Sequence, residues 1–414
     1  MSLIKKQYRG NSKFSFTLFV VIYTLSASEW ELPMSSVLRW IGMGVLLAWG
    51  LYGSRAKNIK IPKYYAIIAF VYVVWMFVGN KYASVGMQRA FSFFLLIFAL
   101  YLYVKRRNAK AEEMMSYYKI FCVDLCILML ALVVYYIVGD GELGEYKGIY
   151  GNKNYLVSVS CTATACGIYL IGIGKGFVRI FSVICTAAGL FITIATGSRA
   201  GLVCTAFLLL SAPFVLMETS TALKKMQVTV FMIIVMIICV IIAKYADIPA
   251  LNRLFETNVS SMASGSTGFS RGDTWEMAWD IFKQKPLLGW GHNATYYNTF
   301  EDNLETAYVS NWGIHSSYFM ILIDYGIIGT ILHIAFFIIL VRSNWVNFKT
   351  VRGYLNMHEM RFVKILAVAC MMLMINAIAE SFLFAVGNIA SVCFWLSIVL
   401  LDVFLDLKVK ALSI

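Results

Sequence analysis

The sequence predicts an all-α polytopic membrane protein with about twelve transmembrane helices and no conventional soluble domain. Three observations predict it. Of the 414 residues, 60% are hydrophobic and only 14% charged, against roughly 25% charged in a soluble globular domain. Runs such as 228–243 and 382–401 hold almost no charge and no turn signal, and they approach the roughly 20 apolar residues that cross a hydrocarbon core. The basic residues gather between alternate runs. Each run should be a helix, because lipid offers no partner for an unpaired backbone group. Barrel strands would alternate in segments of about ten residues, and these runs do not alternate.

The predicted spans are 14–28, 36–53, 64–79, 88–104, 118–138, 155–174, 180–196, 200–217, 227–243, 314–341, 362–379 and 382–404. The first lacks a small-residue cleavage site and reads as a retained span, not a signal peptide. Most of the 35 Lys and Arg fall on one side, in clusters such as Lys5, Lys6, Arg9 and Lys13, or Lys105, Arg106, Arg107 and Lys110. The positive-inside rule places that side, and both termini, in the cytoplasm. Most of the 22 acids fall on the other side. The net charge of +13 therefore reads as a topology signal and a contact to anionic lipid, with no nucleic-acid partner. The nine cysteines lie inside apolar runs with no CxxC pair, and read as small buried hydrophobes with no metal or disulfide role.

The whole of 1–414 reads as one integral-membrane domain, with one long extracytoplasmic loop, 244–313, inside it. Within that loop, 274–282 (TWEMAWDIF) places Trp275, Met277, Ala278, Trp279, Ile281 and Phe282 at mixed helical spacing. This predicts a short amphipathic helix on the membrane surface, ended by Pro286 and Gly289. The stretch 260–267 (SMASGSTG) reads as flexible.

Candidate chemistry concentrates on the outer side. Arg199 lies in a Gly-Ser-Arg-Ala-Gly turn, 197–201. It reads either as an interfacial anchor or as a guanidinium that binds phosphate bidentately, with flanking glycines that let a ligand approach. Arg271 precedes the amphipathic helix, whose free N–H groups would favour an anion; its bland alternative is a solvated loop Arg paired with Asp273. His315 sits where the long loop re-enters the membrane, and an imidazole there suits proton transfer near neutral pH. His292 is the other outer histidine, and Asp273, Trp275 and Glu276 lie near Arg271 in the sequence. Asp273, Glu276, Glu380 and the intramembrane Asp324 are candidate bases; a carboxylate in a span is functional by default. Asp124 is similar, without an evident partner. There is no P-loop, no GxGxxG after a strand, no DxD and no HExxH. A nucleotide-using cytoplasmic site is therefore disfavoured, and a substrate on the outer side must arrive already activated, as a lipid-linked diphosphate does.

The segment 270–291 (SRGDTWEMAWDIFKQKPLLGWG), followed by His315 and, after ten intervening residues, Gly326, resembles the O-antigen polymerase and ligase superfamily of bacterial envelope glycosyltransferases. The Gly197–Gly201 turn is similar to that family's earlier outer Arg turn. The resemblance runs over about 196–337 and implies a GT-C-like glycosyltransferase in the bacterial cytoplasmic membrane. Its substrate would be an undecaprenyl-diphosphate-linked oligosaccharide, taken without a metal or other cofactor. A flippase and a chain-length co-polymerase would be its partners, and O-antigen, capsule or exopolysaccharide its product. It further implies that Arg199 and Arg271 bind the donor diphosphate and that His315 orients or deprotonates the acceptor hydroxyl. Asp273, Trp275 and His292 become candidate substrate contacts. Polymerisation is the expected reaction; transfer of finished polymer by a ligase, peptidoglycan-type polymerisation and lipid flipping are the alternatives.

Overall fold

A computed structural model describes residues 2–26, 35–53, 61–78, 83–105, 110–139, 141–245, 271–297, 314–385 and 387–413; within these, the side chains of 2–12, 35–36, 53, 83–85, 235–245, 271–273 and 296–297 are not described. Most of the expected long loop, including 260–267, lies outside the described residues.

The described chain is helical, with no strand among the described residues. Its elements are α1 (Ser2–Ser26), α2 (Ser35–Gly53), α3 (Tyr65–Trp75), α4 (Ala83–Val104), α5 (Ala111–Val138), α6 (Lys153–Ile173), α7 (Phe177–Ala195), α8 (Arg199–Leu216) and α9 (Ala222–Tyr245). There follow α10 (Arg271–Gln284), the single turn α11 (Ala294–Tyr297), α12 (Ser317–Val351), α13 (Met357–Asn376) and α14 (Ile389–Leu412). A helix stands at each predicted span, and seven of them (α4 to α8, α12 and α14) are long and apolar enough to cross a membrane. The chain is a multi-pass helical membrane protein.

Three boundaries differ from expectation. The α3 helix is short, 11 residues. The last span begins at Ile389, where Asn388 caps it by accepting from the Ala390 N–H; residues 382–385 form a turn instead. The span expected at 314–341 is a broken helix, because Gly326 departs from helical geometry at φ 61°, ψ −169°.

The interior is built on α6 and α14, the two most enclosed spans. Small residues let α6 meet α7 at close range: a Cβ on Gly167 would stand 2.2 Å from Thr186 Oγ1, and one on Gly189 2.5 Å from Thr164 Oγ1. Close packing of this kind drives helix association where lipid removes the hydrophobic force. Around this interior, Ile327, Ile331, Ile334 and Ile338 form an exposed stripe on α12, and Ile180, Val183 and Ile184 another on α7. Apolar stripes at helical spacing suit contact with hydrocarbon.

The helix ends divide into two clusters. One gathers the basic residues. Arg361 donates to the carbonyls of Gly172 and Leu216, Lys364 pairs with Glu218, Lys105 with Asp406 at 3.0 Å, and Lys408 with Glu359. The other holds the starts of α6, α8 and α12 and the end of α13. Asn376 donates to Ser158 at 2.5 Å, and Ser317 N–H donates to Ala377 O at 2.9 Å.

Candidate functional site

The second cluster holds Arg199 at the start of α8 and, before α12 and after α13, His315 and Glu380. Ser316 caps α12 by accepting from the Phe319 N–H, as a serine before an apolar run does. The next residue, Ser317, makes the tertiary tie. Its hydroxyl donates to Glu380 O at 2.7 Å and accepts from the N–H groups of Phe382 and Leu383 at 3.0 and 3.3 Å. Two stretches 63 residues apart are thereby pinned together.

The pin sets His315 beside Glu380. Imidazole Nδ1 stands 3.8 Å from Glu380 Oε2, with the His315 side chain 32% exposed and the Glu380 side chain 4%. His315 also adopts φ 47°, a region that costs a non-glycine residue free energy and tends to recur at functional sites. An accessible imidazole backed by a buried carboxylate is the arrangement of a general base with its orienting group.

Arg199 opens α8 as an exposed residue. Ser198 caps that helix, accepting from the Gly201 N–H at 3.4 Å. Cys204 lies against Met372 O of α13, so the start of α8 and the end of α13, which leads to Glu380, share one end of the bundle. The flanking glycines serve packing, not ligand approach, which corrects the sequence reading. Gly197 has φ 64°, and a Cβ there would meet the Gly144 carbonyl oxygen at 2.4 Å; a Cβ on Gly201 would meet Val157 at 2.7 Å and Thr193 at 2.9 Å.

The backbones of Arg271 and Asp273 lie in the first turn of α10, while their side chains lie outside the described residues. The expected amphipathic helix is present. Its Ala278, Ile281 and Phe282 pack on Ile314 and Ile323 around the first part of α12, while Trp279 stays 46% exposed. Trp275 meets Phe319 with ring centroids 5.8 Å apart, and its indole N–H is buried without a partner among the described residues.

The residues after α10 enter the break in α12. Trp290 and Gly291 N–H groups donate to the carbonyls of Ile323 and Asp324 at 2.9 and 2.8 Å, and the Ile327 and Ile328 N–H groups donate to Pro286 and Leu287 at 2.8 and 3.2 Å. Asp324, a candidate base by sequence, accepts from the Thr295 N–H at 2.8 Å and is buried. His292 lies buried between α3 and α12, its Nδ1 2.5 Å from the Tyr325 hydroxyl and its Nε2 2.9 Å from Asn293 Nδ2. The Asn amide nitrogen only donates, so Nε2 accepts and Nδ1 carries the proton. Burial, helped by the positive charge of Arg89, pushes the His292 pKa down to about 3. His292 is therefore neutral near pH 7. Ser317, Tyr325, Arg89 and the helix-breaking role of Gly326 were missed by sequence reasoning; of these only the Ser316–Ser317 pair carried a local signal, as a helix cap.

Residues 181–334 match the O-antigen ligase family. The match starts within α7 and ends within α12. It takes in Arg199, Arg271, His292, His315 and Asp324, and leaves Glu380 outside. It supports the O-antigen polymerase and ligase superfamily, and with it an O-antigen ligase or polymerase type of membrane enzyme. No curated protein matches the chain.

Proposed function

We propose that the chain is an inverting membrane glycosyltransferase, spanning the bacterial cytoplasmic membrane about twelve times with both termini inside. It polymerises undecaprenyl-diphosphate-linked repeat units into a surface polysaccharide on the outer face. The observation that carries this reading is the His315–Glu380 pair, 3.8 Å apart, at the bundle end where α8 begins with Arg199. The acceptor hydroxyl oxygen attacks the anomeric carbon of the donor sugar. The bond from that carbon to the diphosphate oxygen breaks, and the lipid diphosphate leaves with the electron pair. The hydroxyl proton passes to Nε2 of His315, while Glu380 faces Nδ1 and steadies the imidazolium. Arg199 and Arg271 bind the diphosphate and stabilise the charge that develops on it. Asp273 and Trp275, beside Arg271 on α10, extend the contact to the sugar.

A ligase is the second reading, favoured by the description of the matched family. The test is one assay: purified protein in nanodiscs receives lipid-diphosphate-linked oligosaccharide, and products are run on a gel. A ladder of increasing length, lost in Arg271→Ala, is the expected result. A single transfer seen only when a second acceptor is added would replace the polymerase with a ligase. No product, with lipid moving between leaflets of liposomes, would replace both with a flippase.

A further inference from the structure

The break in α12 at Gly326 is filled by protein, and the filling is specific. Gly289 (φ 71°) and Gly326 (φ 61°) face one another: a Cβ on Gly289 would lie 2.5 Å from Gly326 N, and one on Gly326 would lie 2.4 Å from Leu287 O. Four backbone hydrogen bonds cross this contact, supplying the partners that α12 loses by leaving helical geometry. The segment is also fixed to α3, where the Trp75 indole N–H donates to Leu288 O at 2.6 Å and His292 N–H donates to Trp75 O at 3.2 Å. It is tied back to α10 as well, because the Trp290 indole donates to Ile281 O at 3.1 Å. At its far end the Asp324 carboxylate holds the Thr295 N–H and faces that of Asn293.

We infer that Asp324 is a positioning residue, the latch that holds the 286–297 segment in the break of α12 and so keeps His315 and the start of α10 on one rigid unit. The inference rests on the glycosyl-transfer reading for its effect on rate, and on geometry alone for its effect on structure. His315 stands just before the first turn of α12, and α10 packs against that same half of the helix through Ile281, Phe282, Ile314 and Ile323. Movement of the segment would therefore displace both candidate groups together. A buried carboxylate in a span invites the role of base, but this one accepts from the Thr295 N–H, with the Arg89 charge also acting on it, and the N–H asks for an acceptor.

Asp324→Asn and Asp324→Ala separate the two roles, because asparagine keeps the acceptor and cannot take up a proton. The asparagine variant is expected to turn over near the wild-type rate with an unchanged pH profile. The alanine variant is expected to lose roughly 100-fold in kcat, the size of effect that follows a misplacement of about 1 Å. An asparagine variant as inactive as the alanine one would overturn the latch and make the carboxylate a base. Amide hydrogen exchange over 286–297 in nanodiscs gives a second reading that needs no turnover. Exchange should be faster in Asp324→Ala and as slow as wild type in Asp324→Asn; equal exchange in all three would overturn the latch. If wild-type protein makes no glycan, the loss falls on the proposed function, and the exchange experiment still decides the latch.

Discussion

The two ends of the bundle use charge differently. At the basic end, cations tie helix to helix: Arg361 closes on the carbonyl ends of α6 and α8, and Lys408 meets the Glu359 carboxylate that also completes the capping box of α13. At the other end, polar side chains tie helices to connecting segments: Ser317 holds the 380–383 turn and Asp324 holds the 286–297 segment. The first pattern fixes the bundle. The second fixes loops, and it leaves His315 and Arg199 accessible. Charge at the start of a span thus marks a site only where a connecting segment is clamped beside it.

The sharpest break of this comparison is at the accessible end. His315→Ala should lower kcat by 10²- to 10⁴-fold, leave donor binding nearly intact and leave expression normal; single-turnover kinetics with titrated donor would check it. An unchanged rate would pass the base role to another group. Glu380→Gln should give a smaller loss, confined to kcat. Lys408→Met tests the opposite end. It strands the buried Glu359 carboxylate and should cost about 3 kcal/mol of stability, while turnover per folded molecule stays unchanged; denaturant unfolding together with activity would show it.

Next in size is a pH effect. The folded pKa of His292 lies near 3, below its unfolded value of about 6.5. Stability is therefore full above pH 6.5 and falls as the unfolded chain takes up a proton, by about 2 kcal/mol between pH 6.5 and 5. Thermal melts of wild type and His292→Gln over that range would reveal it as a slope that the variant lacks. The smallest effect belongs to the half-exposed Lys153–Glu145 pair at 3.3 Å. Lys153→Ala should change stability by roughly 0.5 kcal/mol, readable as a small shift in melting temperature.

What the sequence made legible follows from range. Apolar runs and alternating basic clusters are local, so a helix stands at each predicted span, and the 274–282 helix was found from its spacing. The break at Gly326 was hidden because a glycine inside an apolar run looks like any other until its partner, Gly289, is known. Glu380 could be picked as an outer acid, but its place beside His315 depends on Ser317, a contact spanning 63 residues. The glycines around Arg199 were misread for the same reason, since Gly144, Val157 and Thr193 fill the space beside them. The partner of Asp324, the Thr295 backbone N–H, has no signature in the sequence.

The break also bears on depth. From Gly326 to Val351 a helix rises about 37 Å at 1.5 Å per residue, more than the ~30 Å of bilayer hydrocarbon. The later part of α12 is long enough to cross alone. The part from Ser317 to Tyr325 is surplus to the crossing and can lie at the level of the lipid headgroups. Under the proposed function, that is where the phosphates of a lipid-linked sugar reside, and it would let His315 meet its substrate at the membrane surface.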